Sequence, residues 1–470
     1  MQKIPRLMLA ALRGGAGKTL LTIGITAALR RRGLSVAAFK KGPDYIDAGW
    51  LGKAAQSECY NLDAYLFDKE TLTASFISRA TRHDIAIIEG NRGLFDGVSA
   101  SGEYSSAELA KMLATPVVLI VDASKMTRTA AALVLGCKLL DPDCSLTAVI
   151  LNRVAGSRHE KTLRDSIENY CSIPVIGSVN KMSMDNFPQR HLGLLPLFEH
   201  SGANTLIEEA ANVAESHINL DALLALANSA APLHCSGLMS PEPEIDPDHV
   251  NLRIGVLRDS AFQFYYPENL EALEATGAQL QEITALEAQP IPDLDALYIG
   301  GGFPETHAER LAQNTVFKES LYNAVNSGLP VYAECGGLMY LAKELIIDSS
   351  AYPMVGVFDV ATVLERKPQG HGYMTVQVIA PNPFFPLGTV LSGHEFHYSY
   401  ICSENPDSNS YAFKVTRGHG ITGSFDGIFK NNALGTYLHL HALGAPEWAK
   451  SILKVASTYH KTRVGNKSGQ

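Results

Sequence analysis

Short apolar runs alternate with segments of helical apolar spacing over residues 4–230, and few folds accept such an order. The runs are rich in Val, Ile and Leu, as parallel strands buried on both faces are. They are Leu7–Leu12, Ser35–Phe39, Ile85–Ile88, Pro116–Val121 and Leu146–Leu151. Segments such as Thr19–Arg32 and Ser106–Leu113 have the helical spacing. The alternation therefore predicts a doubly wound α/β domain.

A change of composition divides the chain. Residues 231–252 carry four prolines and several acids with little periodicity, which predicts a linker. The βα alternation then resumes, followed by a strand-rich section and a last helix. The elements expected there are Arg253–Leu257, Ala296–Ile299, Val331–Ala333, the strand-rich section Tyr352–Tyr437 and the helix Pro446–His460. We therefore predict two α/β domains, 1–230 and 253–460, each doubly wound.

The composition argues against several classes of protein. The chain has 470 residues and a formal net charge of −9 with no long basic run, which disfavours a nucleic-acid partner. Its apolar runs are too short for a membrane span, and the N-terminal one is too short for a signal peptide. The seven cysteines form no C-x-x-C pair, so neither a disulfide framework nor a zinc site is indicated. We expect a cytoplasmic protein that binds neither nucleic acid nor membrane.

A glycine-rich loop follows the first apolar run and precedes a helical segment. In such a loop, backbone N–H groups and the helix N-terminus face phosphate oxygens, Lys18 reaches the β- and γ-phosphates, and Thr19 can hold Mg²⁺. A standard motif has glycine where Leu12 stands, so the loop is a deviant form. The residues predicted to bind ATP here are Gly14, Gly15, Gly17, Lys18 and Thr19.

Polar residues at later strand ends extend this predicted nucleotide site. Asp44 and Glu89 are candidate Mg²⁺ ligands beside Thr19, and Lys40 could neutralise a transferring phosphate. Asp47 could hold the metal or position the phosphate acceptor. A helix cap or loop carboxylate is the competing interpretation for each acid. Asn152, at the end of another strand, could contact an adenine edge or simply form a turn.

Cys335 lies between a β-prone run and a segment of helical spacing, with two glycines directly after it. This order predicts a tight strand-to-helix turn that exposes the thiol and lets the helix N-terminus lower its pKa. The cysteine would then be a nucleophile. A buried core thiol is the alternative interpretation.

A thiolate nucleophile needs an oxyanion hole and a base. Three glycines end the strand at Tyr298–Ile299, and their N–H groups could line the hole beside that of the glycine after Cys335. The oxyanion candidates are Gly301, Gly302 and Gly336. His439 and His441 have strand spacing, so they would share a face, and one could reach Cys335. The pair could instead be structural or bind a metal.

These segments resemble the cobyrinic acid a,c-diamide synthase family, two-domain glutamine-dependent amidotransferases of corrin biosynthesis. The similarity extends over nearly the whole chain, in order. The matching runs are FKKGPDYID (39–47), IIEGNRGLFDG (87–97), LIVDASKMTRTAAALVLG (119–136), FYYPENLEALEATGA (264–278), LYIGGGFPETHAE (297–309), LPVYAECGGLMYL (329–341), SGHEFHYSY (392–400) and TYLHLH (436–441). The resemblance implies a dethiobiotin synthetase type of P-loop ATP-binding domain followed by a class I glutamine amidotransferase domain.

The resemblance also implies roles for these residues. Cys335 would attack glutamine and release ammonia, with His439 as base. Relatives with a full triad carry His-x-Glu, whereas position 441 is histidine here, so a Cys–His pair is implied. ATP, Mg²⁺ and the phosphate-loop residues would activate a substrate acetate as an acyl phosphate, which ammonia converts to an amide. The tentative contacts to the tetrapyrrole polycarboxylate are Tyr45, Asp47, His394 and His397.

Two alternatives stay open. A sister enzyme that amidates sirohydrochlorin or sirohaem would use the same scaffold, and the deviant residues Leu12 and Arg13 flank the expected substrate site. A protein of another class, a partition-type switch ATPase with an inactive C-terminal domain, would explain the phosphate loop alone. That class carries lysine where Arg13 stands, and the switch-ATPase interpretation assigns no function to Cys335 and His439. The oligomeric state also stays open, and a homodimer is the candidate assembly.

Overall fold

The structure is a computed structural model that describes residues 2–181, 189–190, 193–194, 196–197, 200, 202–233, 251–403 and 410–468. The chain divides into two compact units, Met1–Ser240 and Pro241–Gln470, and each is described by itself. Most of the predicted linker, 231–252, lies outside the described residues. None of the helices in the described ranges has the length and hydropathy needed to span a bilayer.

The first unit contains a parallel sheet flanked by helices. Its elements are β1 (Arg6–Ala11), α1 (Lys18–Arg31), β2 (Val36–Lys41), α2 (Ile46–Ala55), β3 (Cys59–Leu62), α3 (Lys69–Ala80), β4 (Ile85–Glu89), α4 (Ser106–Met112), β5 (Val117–Asp122), α5 (Thr129–Leu140), β6 (Leu146–Val154), α6 (Ser157–Cys171), β7 (Val175–Asn180), β8 (Gln189–Arg190), β9 (Gly193–Leu194), α7 (Ala203–His217) and α8 (Leu220–Asn228). The sheet order is β3-β2-β4-β1-β5-β6-β7, and all its strand pairs are parallel. The carboxyl ends of β1, β2 and β4 therefore lie side by side at the edge where such sheets bind ligands.

The second unit combines a parallel half-sheet with antiparallel strands. Its elements are β10 (Arg253–Leu257), β11 (Phe262–Phe264), α9 (Pro267–Glu274), β12 (Gln279–Ile283), β13 (Ala296–Ile299), β14 (Gly301–Gly302), a 3₁₀ turn (Pro304–His307), α10 (Ala308–Gln313), α11 (Thr315–Asn326), β15 (Val331–Glu334), α12 (Gly336–Leu341), β16 (Ala342–Ile347), β17 (Ser350–Pro353), β18 (Phe358–Leu364), β19 (Gly370–Val378), β20 (Val390–His397), β21 (Ser399–Cys402), β22 (Tyr411–Arg417), β23 (Phe425–Lys430), β24 (Ala433–Thr436) and α13 (Glu447–Ser468).

The nine-stranded sheet of this unit has the order β12-β10-β13-β15-β24-β23-β22-β19-β20. The strands from β12 to β24 pair in parallel, and those from β24 to β20 pair antiparallel. A further sheet has the order β17-β16-β18-β21. The α/β class is thus confirmed. The strand-rich section predicted for Tyr352–Tyr437 forms the antiparallel half and part of the second sheet, so this unit is not purely a doubly wound parallel sheet.

Apolar cores on the sheet faces hold the site-bearing strands in place. In the first unit, side chains of β1 pack against α1 and α7 in one buried cluster. In the second unit, β15 contributes to two clusters: Val331 and Ala333 to one, Tyr332 to the other. Alternate residues of a strand face opposite sides of a sheet, so β15 is covered on both faces and ends in a buried environment.

Candidate active sites

The predicted phosphate loop connects β1 to α1 in the middle of the first sheet. Gly15 and Gly17 have φ values of 73° and 82°, which glycine adopts without strain. Gly17 directly precedes Lys18, the first residue of α1, whose side chain is buried. The backbone amides of this turn and the start of the helix therefore have the arrangement that binds phosphate.

Five predicted side chains come together beside this loop. The Lys40 Nζ lies 2.6 Å from Asp47 Oδ2 and 2.6 Å from Glu89 Oε1. The Thr19 hydroxyl donates to the same oxygens, at 3.1 Å to Asp47 and 2.9 Å to Glu89. Asp44 Oδ2 lies 3.5 Å from Lys40 Nζ. The strand ends thus bring together the residues that the sequence placed in one site.

Charge and burial oppose each other in this cluster. Burial disfavours the Lys40 ammonium, but the combined attraction of the nearby carboxylates outweighs it and holds the pKa of Lys40 well above its ordinary value. Burial also opposes the Asp47 carboxylate, yet Lys40 keeps the pKa of Asp47 below its usual range. Asp44 has the reverse balance: burial and the charge of Asp47 raise its pKa to about 6. Lys40 and Asp47 are therefore charged at neutral pH.

Asp44 makes the contact that the competing interpretation, a helix cap, predicted, whereas Asn152 contacts the phosphate loop. Asp44 Oδ1 accepts a hydrogen bond from Asp47 N at 3.0 Å, which caps the first turn of α2. The fully buried Asn152 amide donates to Ala16 O in the phosphate loop at 2.8 Å. The contact made by Asn152 favours support of the loop over the predicted adenine contact. Tyr45, a tentative substrate contact, is half-buried directly before α2.

The deviant loop residue Arg13 is held within its own unit. Arg13 Nη2 lies 3.1 Å from Asp122 Oδ2, and Arg153 Nη1 lies 2.7 Å from the same oxygen. Asp122 ends β5, the strand beside β1, and sequence reasoning missed it. Its position at the carboxyl end of a parallel strand was the signal that could have identified it.

Cys335 lies on the sharp turn between β15 and α12. Its φ of 47° and ψ of −97° are unusual for a residue with a side chain, and such strain is typical of a nucleophile on a strand-to-helix turn. The expected exposure is wrong, because the residue is 7% exposed. The expected decrease in pKa is also wrong: burial, followed by the charge of Glu305, raises the pKa of Cys335 far above its usual value. The six-residue helix α12 does not offset this desolvation.

The predicted oxyanion glycines lie together. Gly301 and Gly302 form β14, which pairs with β11. A Cβ atom on Gly336 would lie only 3.0 Å from Gly302 N and 3.4 Å from Gly301 C. The backbone next to Cys335 therefore packs directly against the glycine turn, as an oxyanion hole beside the nucleophile requires.

His439 and His441 do not share a strand face. β24 ends at Thr436, and the two histidines contact different carboxylates. His439 Nδ1 lies 3.2 Å from Glu334 Oε2, whereas His441 Nε2 lies 3.6 Å from Glu268 Oε2. Sequence reasoning missed Glu334, the residue directly before the cysteine. The available signal was a carboxylate at the end of an otherwise buried apolar strand, where it needs a partner.

The remaining tentative substrate contacts, His394 and His397, are buried. The His394 ring stacks on that of His439 with centroids 4.8 Å apart, and its Nδ1 lies 3.2 Å from Tyr266 OH. Burial lowers the pKa of His394 well below its usual value, so it is neutral. His397 Nδ1 lies 2.7 Å from Ser399 O. These contacts favour a supporting role in the second unit over contact with an acidic macrocycle.

Comparisons with known proteins match both units. Residues 7–193 match the CobQ/CobB/MinD/ParA nucleotide binding domain, and residues 253–447 match the CobB/CobQ-like glutamine amidotransferase domain. A cobyrinate a,c-diamide synthase of Magnetococcus marinus is 43% identical, over 96% of this chain and 97% of that protein. Proteins of the same name from Archaeoglobus fulgidus and Listeria monocytogenes are 39% and 38% identical, over 96% and 93% of this chain and 98% and 96% of their own lengths.

The chain belongs to the cobyrinate a,c-diamide synthase family. Membership confirms the family inferred from the sequence, the nucleotide-binding and amidotransferase domains, and a glutamine-dependent ligase. It disfavours the partition-type switch, because the second unit matches an amidotransferase domain. The phosphate loop of this chain lies in the part that matches the nucleotide binding domain, and the cysteine turn lies in the part that matches the amidotransferase domain.

Proposed function

We propose that this chain uses ATP and glutamine to convert the a and c acetate side chains of cobyrinate to amides. The observation that supports the proposal is the presence of two candidate sites in one chain. The first unit holds the phosphate loop with the Lys40 cluster, and the second holds Cys335 beside a glycine turn and a carboxylate-bound histidine. ATP hydrolysis alone would need only the first site, and glutamine hydrolysis alone would need only the second. Amidation with glutamine as the nitrogen source requires both.

The proposed chemistry of the second unit is glutamine hydrolysis. The Cys335 sulfur attacks the side-chain amide carbon of glutamine while His439 takes the thiol proton. Backbone N–H groups of the glycine turn stabilise the oxyanion, and His439 returns the proton to the leaving nitrogen. Ammonia leaves and a thioester remains, which water cleaves to glutamate and free Cys335. Because the resting thiol is protonated, a proton acceptor is essential to this step.

The proposed chemistry of the first unit is carboxylate activation. A substrate acetate oxygen attacks the γ-phosphorus of ATP, and ADP leaves with the electrons of the broken P–O bond. Lys18 and Lys40 supply positive charge to the transferring phosphoryl group. Ammonia then attacks the acyl carbon, and phosphate leaves to give the amide. A carboxylate is a poor acyl donor, and phosphorylation supplies the leaving group that it lacks.

Mg²⁺ is part of the proposal. Thr19, Asp44 and Glu89 would hold it, and Glu89 Oε2 is buried with no hydrogen-bond partner among the described residues. Within those residues no group of three or more acidic, His or Cys side chains could hold a metal. Mg²⁺ commonly uses one or two carboxylates together with substrate phosphates, so the residues fit. When bound, it supplies charge neutralisation at the phosphates.

Mass spectrometry tests the proposed substrate. Cobyrinic acid and sirohydrochlorin, the latter with and without iron, would each be incubated with the enzyme, Mg-ATP and glutamine. We expect two successive amidations of cobyrinic acid and none of sirohydrochlorin. Amidation of sirohydrochlorin alone would show that the substrate is that of the sister enzyme, with the mechanism unchanged. ATP hydrolysis without amidation of either compound would contradict the proposal. The cytoplasmic location and the homodimer remain predictions; light scattering tests the homodimer and cell fractionation tests the location.

A further inference from the structure

We propose that Glu334 is the residue that orients the base His439 and stabilises its protonated form, completing a Cys–His–Glu centre. The inference rests on the proposed glutaminase step and deepens it. The glutamate of the usual His-x-Glu pattern is replaced by His441 in this chain. The carboxylate instead comes from the residue directly before the nucleophile. Glu334 is a positioning residue, since it acts on glutamine only through His439.

Both oxygens of the Glu334 carboxylate are engaged. Oε2 lies 3.2 Å from His439 Nδ1 and accepts a hydrogen bond from Tyr298 OH at 3.2 Å. Oε1 accepts from Leu440 N at 3.2 Å. The residue is fully buried, so these contacts must offset the cost of desolvating a carboxylate. Donors at both oxygens fix the orientation of the carboxylate relative to the imidazole.

A second group fixes the segment that carries His439. The Asn269 amide donates to Leu440 O at 2.9 Å and to Tyr298 OH at 3.3 Å, and its oxygen accepts from Ala442 N at 2.7 Å. Glu334 and Asn269 therefore hold successive peptide groups of the same irregular segment. The segment lies beyond the end of β24, so these side chains supply partners for backbone groups that no longer belong to the strand ladder.

One face and the Cε1–Nε2 edge of the His439 ring are also restrained. His394 stacks on it at an interplanar angle of 17°, and the two residues exchange backbone hydrogen bonds of 2.8 and 3.1 Å. A Cβ atom on Gly301 would lie 2.7 Å from His439 Cε1 and 3.5 Å from its Nε2. The Nε2 edge thus lies at the glycine turn that packs against Gly336, the neighbour of Cys335.

These contacts assign the two ring nitrogens different tasks. In the proposed centre, the Nδ1–H group donates a hydrogen bond to Glu334 and keeps its proton, so Nε2 is left as the acceptor for the thiol proton. When His439 becomes positive, the nearby carboxylate stabilises that charge. In this proposal the strained turn at Cys335 follows Glu334 directly, so two consecutive residues would act on one imidazole, one at each ring nitrogen. The titratable groups around the ring include Glu334, His394 and, through Glu334, Tyr298.

A second buried carboxylate offers a matched control. Glu268 lies 3.6 Å from His441 and is also buried, but it contacts the other histidine. Tyr266 packs on His441 with ring centroids 4.4 Å apart. Glu268→Gln therefore makes the same chemical change near the same segment, without removing the partner of His439.

The test compares Glu334→Gln, Glu334→Asp and Glu268→Gln in the full chain, with glutamine or ammonium chloride as nitrogen source. We expect Glu334→Gln to lower kcat/KM for glutamine roughly 100- to 10,000-fold with little change in KM, as loss of the orienting acid does in serine proteases. Ammonia-dependent amidation should stay near the wild-type rate. The acid limb of the glutaminase pH profile should move to lower pH, because the protonated imidazole loses its carboxylate. Glu334→Asp should recover part of the rate.

Three results would overturn the inference. The first is glutaminase activity of Glu334→Gln near the wild-type rate. The second is a parallel loss of glutamine- and ammonia-dependent amidation with an unchanged pH profile, which indicates a structural role. The third is an equal effect of Glu268→Gln on rate and pH profile. Failure of the proposed function is distinguishable, since a wild-type chain that amidates nothing still allows glutamate release to be compared between variants.

Discussion

Lys40 Nζ lies 2.6 Å from Glu89 Oε1, and both side chains are fully buried. Asp47 contacts the same ammonium, so one buried cation neutralises part of a cluster of acids. Removing a charge from such a cluster leaves its partner buried without compensation, which costs far more than losing a surface ion pair. The cluster is therefore expected to control the stability of the first unit as well as its chemistry.

Lys40→Met should lower the free energy of unfolding of the first unit by about 3–5 kcal/mol, because buried carboxylates lose their cation. Thermal unfolding without nucleotide measures this. The double variant Lys40→Met/Glu89→Gln should be more stable than the single variant, since it also removes one negative charge. Lys111→Met is the control, as Lys111 pairs with Glu108 and Asp141 where it is partly exposed, and it should cost about 1 kcal/mol or less. Equal losses in both single variants would contradict the prediction.

Asp44 gives the first unit a pH dependence of stability. Burial, then the charge of Asp47, raises its pKa to about 6 in the folded chain, against 3.8 ordinarily. The folded state therefore binds a proton that the unfolded state has released, and the contribution of Asp44 to stability falls as pH rises from about 4 to about 6. Asp44→Asn keeps the cap to α2 and removes this loss. We compare the free energy of unfolding of the variant with that of the wild type at each pH. This difference should favour the variant by about 1–3 kcal/mol more at pH 8 than at pH 4. If the melting temperatures of the variant and the wild type differ by the same amount at both pH values, the prediction is wrong.

Cys335→Ala should abolish amidation with glutamine, to below roughly one thousandth of the wild-type rate, and leave amidation with ammonia. The thiol is the proposed nucleophile that attacks glutamine, whereas amidation with added ammonia needs only the first unit. Lys18→Ala should instead lower both activities, because Lys18 is proposed to contact the phosphates of ATP. Cys402→Ala is the matched control, since Cys402 is exposed on β21. Loss of ammonia-dependent amidation in Cys335→Ala would show that the two activities are not separable as proposed.

Local order along the chain was enough to predict the phosphate loop and the cysteine turn. Each is a strand, a glycine turn and a helix that are consecutive in sequence, so backbone chemistry alone identifies it. The approach of Glu89 and Asp47 to Thr19 was also predictable, because the carboxyl ends of parallel strands meet at one edge of a sheet. The strands of the first unit that the sequence predicted are found within a few residues of their expected ends.

What could not be predicted depends on contacts between distant parts of the chain. Glu334 and His439 are 105 positions apart, and only the return of the segment after β24 brings them together. The pKa of Cys335 was predicted in the wrong direction, because burial is a property of the packed unit and outweighs a short helix. Asp122 was missed because its partners, Arg13 and Arg153, lie on two other strand ends.

Gly301→Ala tests how closely the glycine turn and the base are packed. An added Cβ atom would lie 2.7 Å from His439 Cε1, closer than such contacts allow, so the imidazole must move away from the glycine turn. We expect glutamine-dependent amidation to fall roughly 100-fold or more, as misplacement of a catalytic group by about 1 Å does, while ammonia-dependent amidation is kept. Gly136→Ala is the control, because a Cβ atom there meets nothing within 4 Å on helix α5. Wild-type glutaminase activity in Gly301→Ala would show that His439 does not need its present position to act on glutamine.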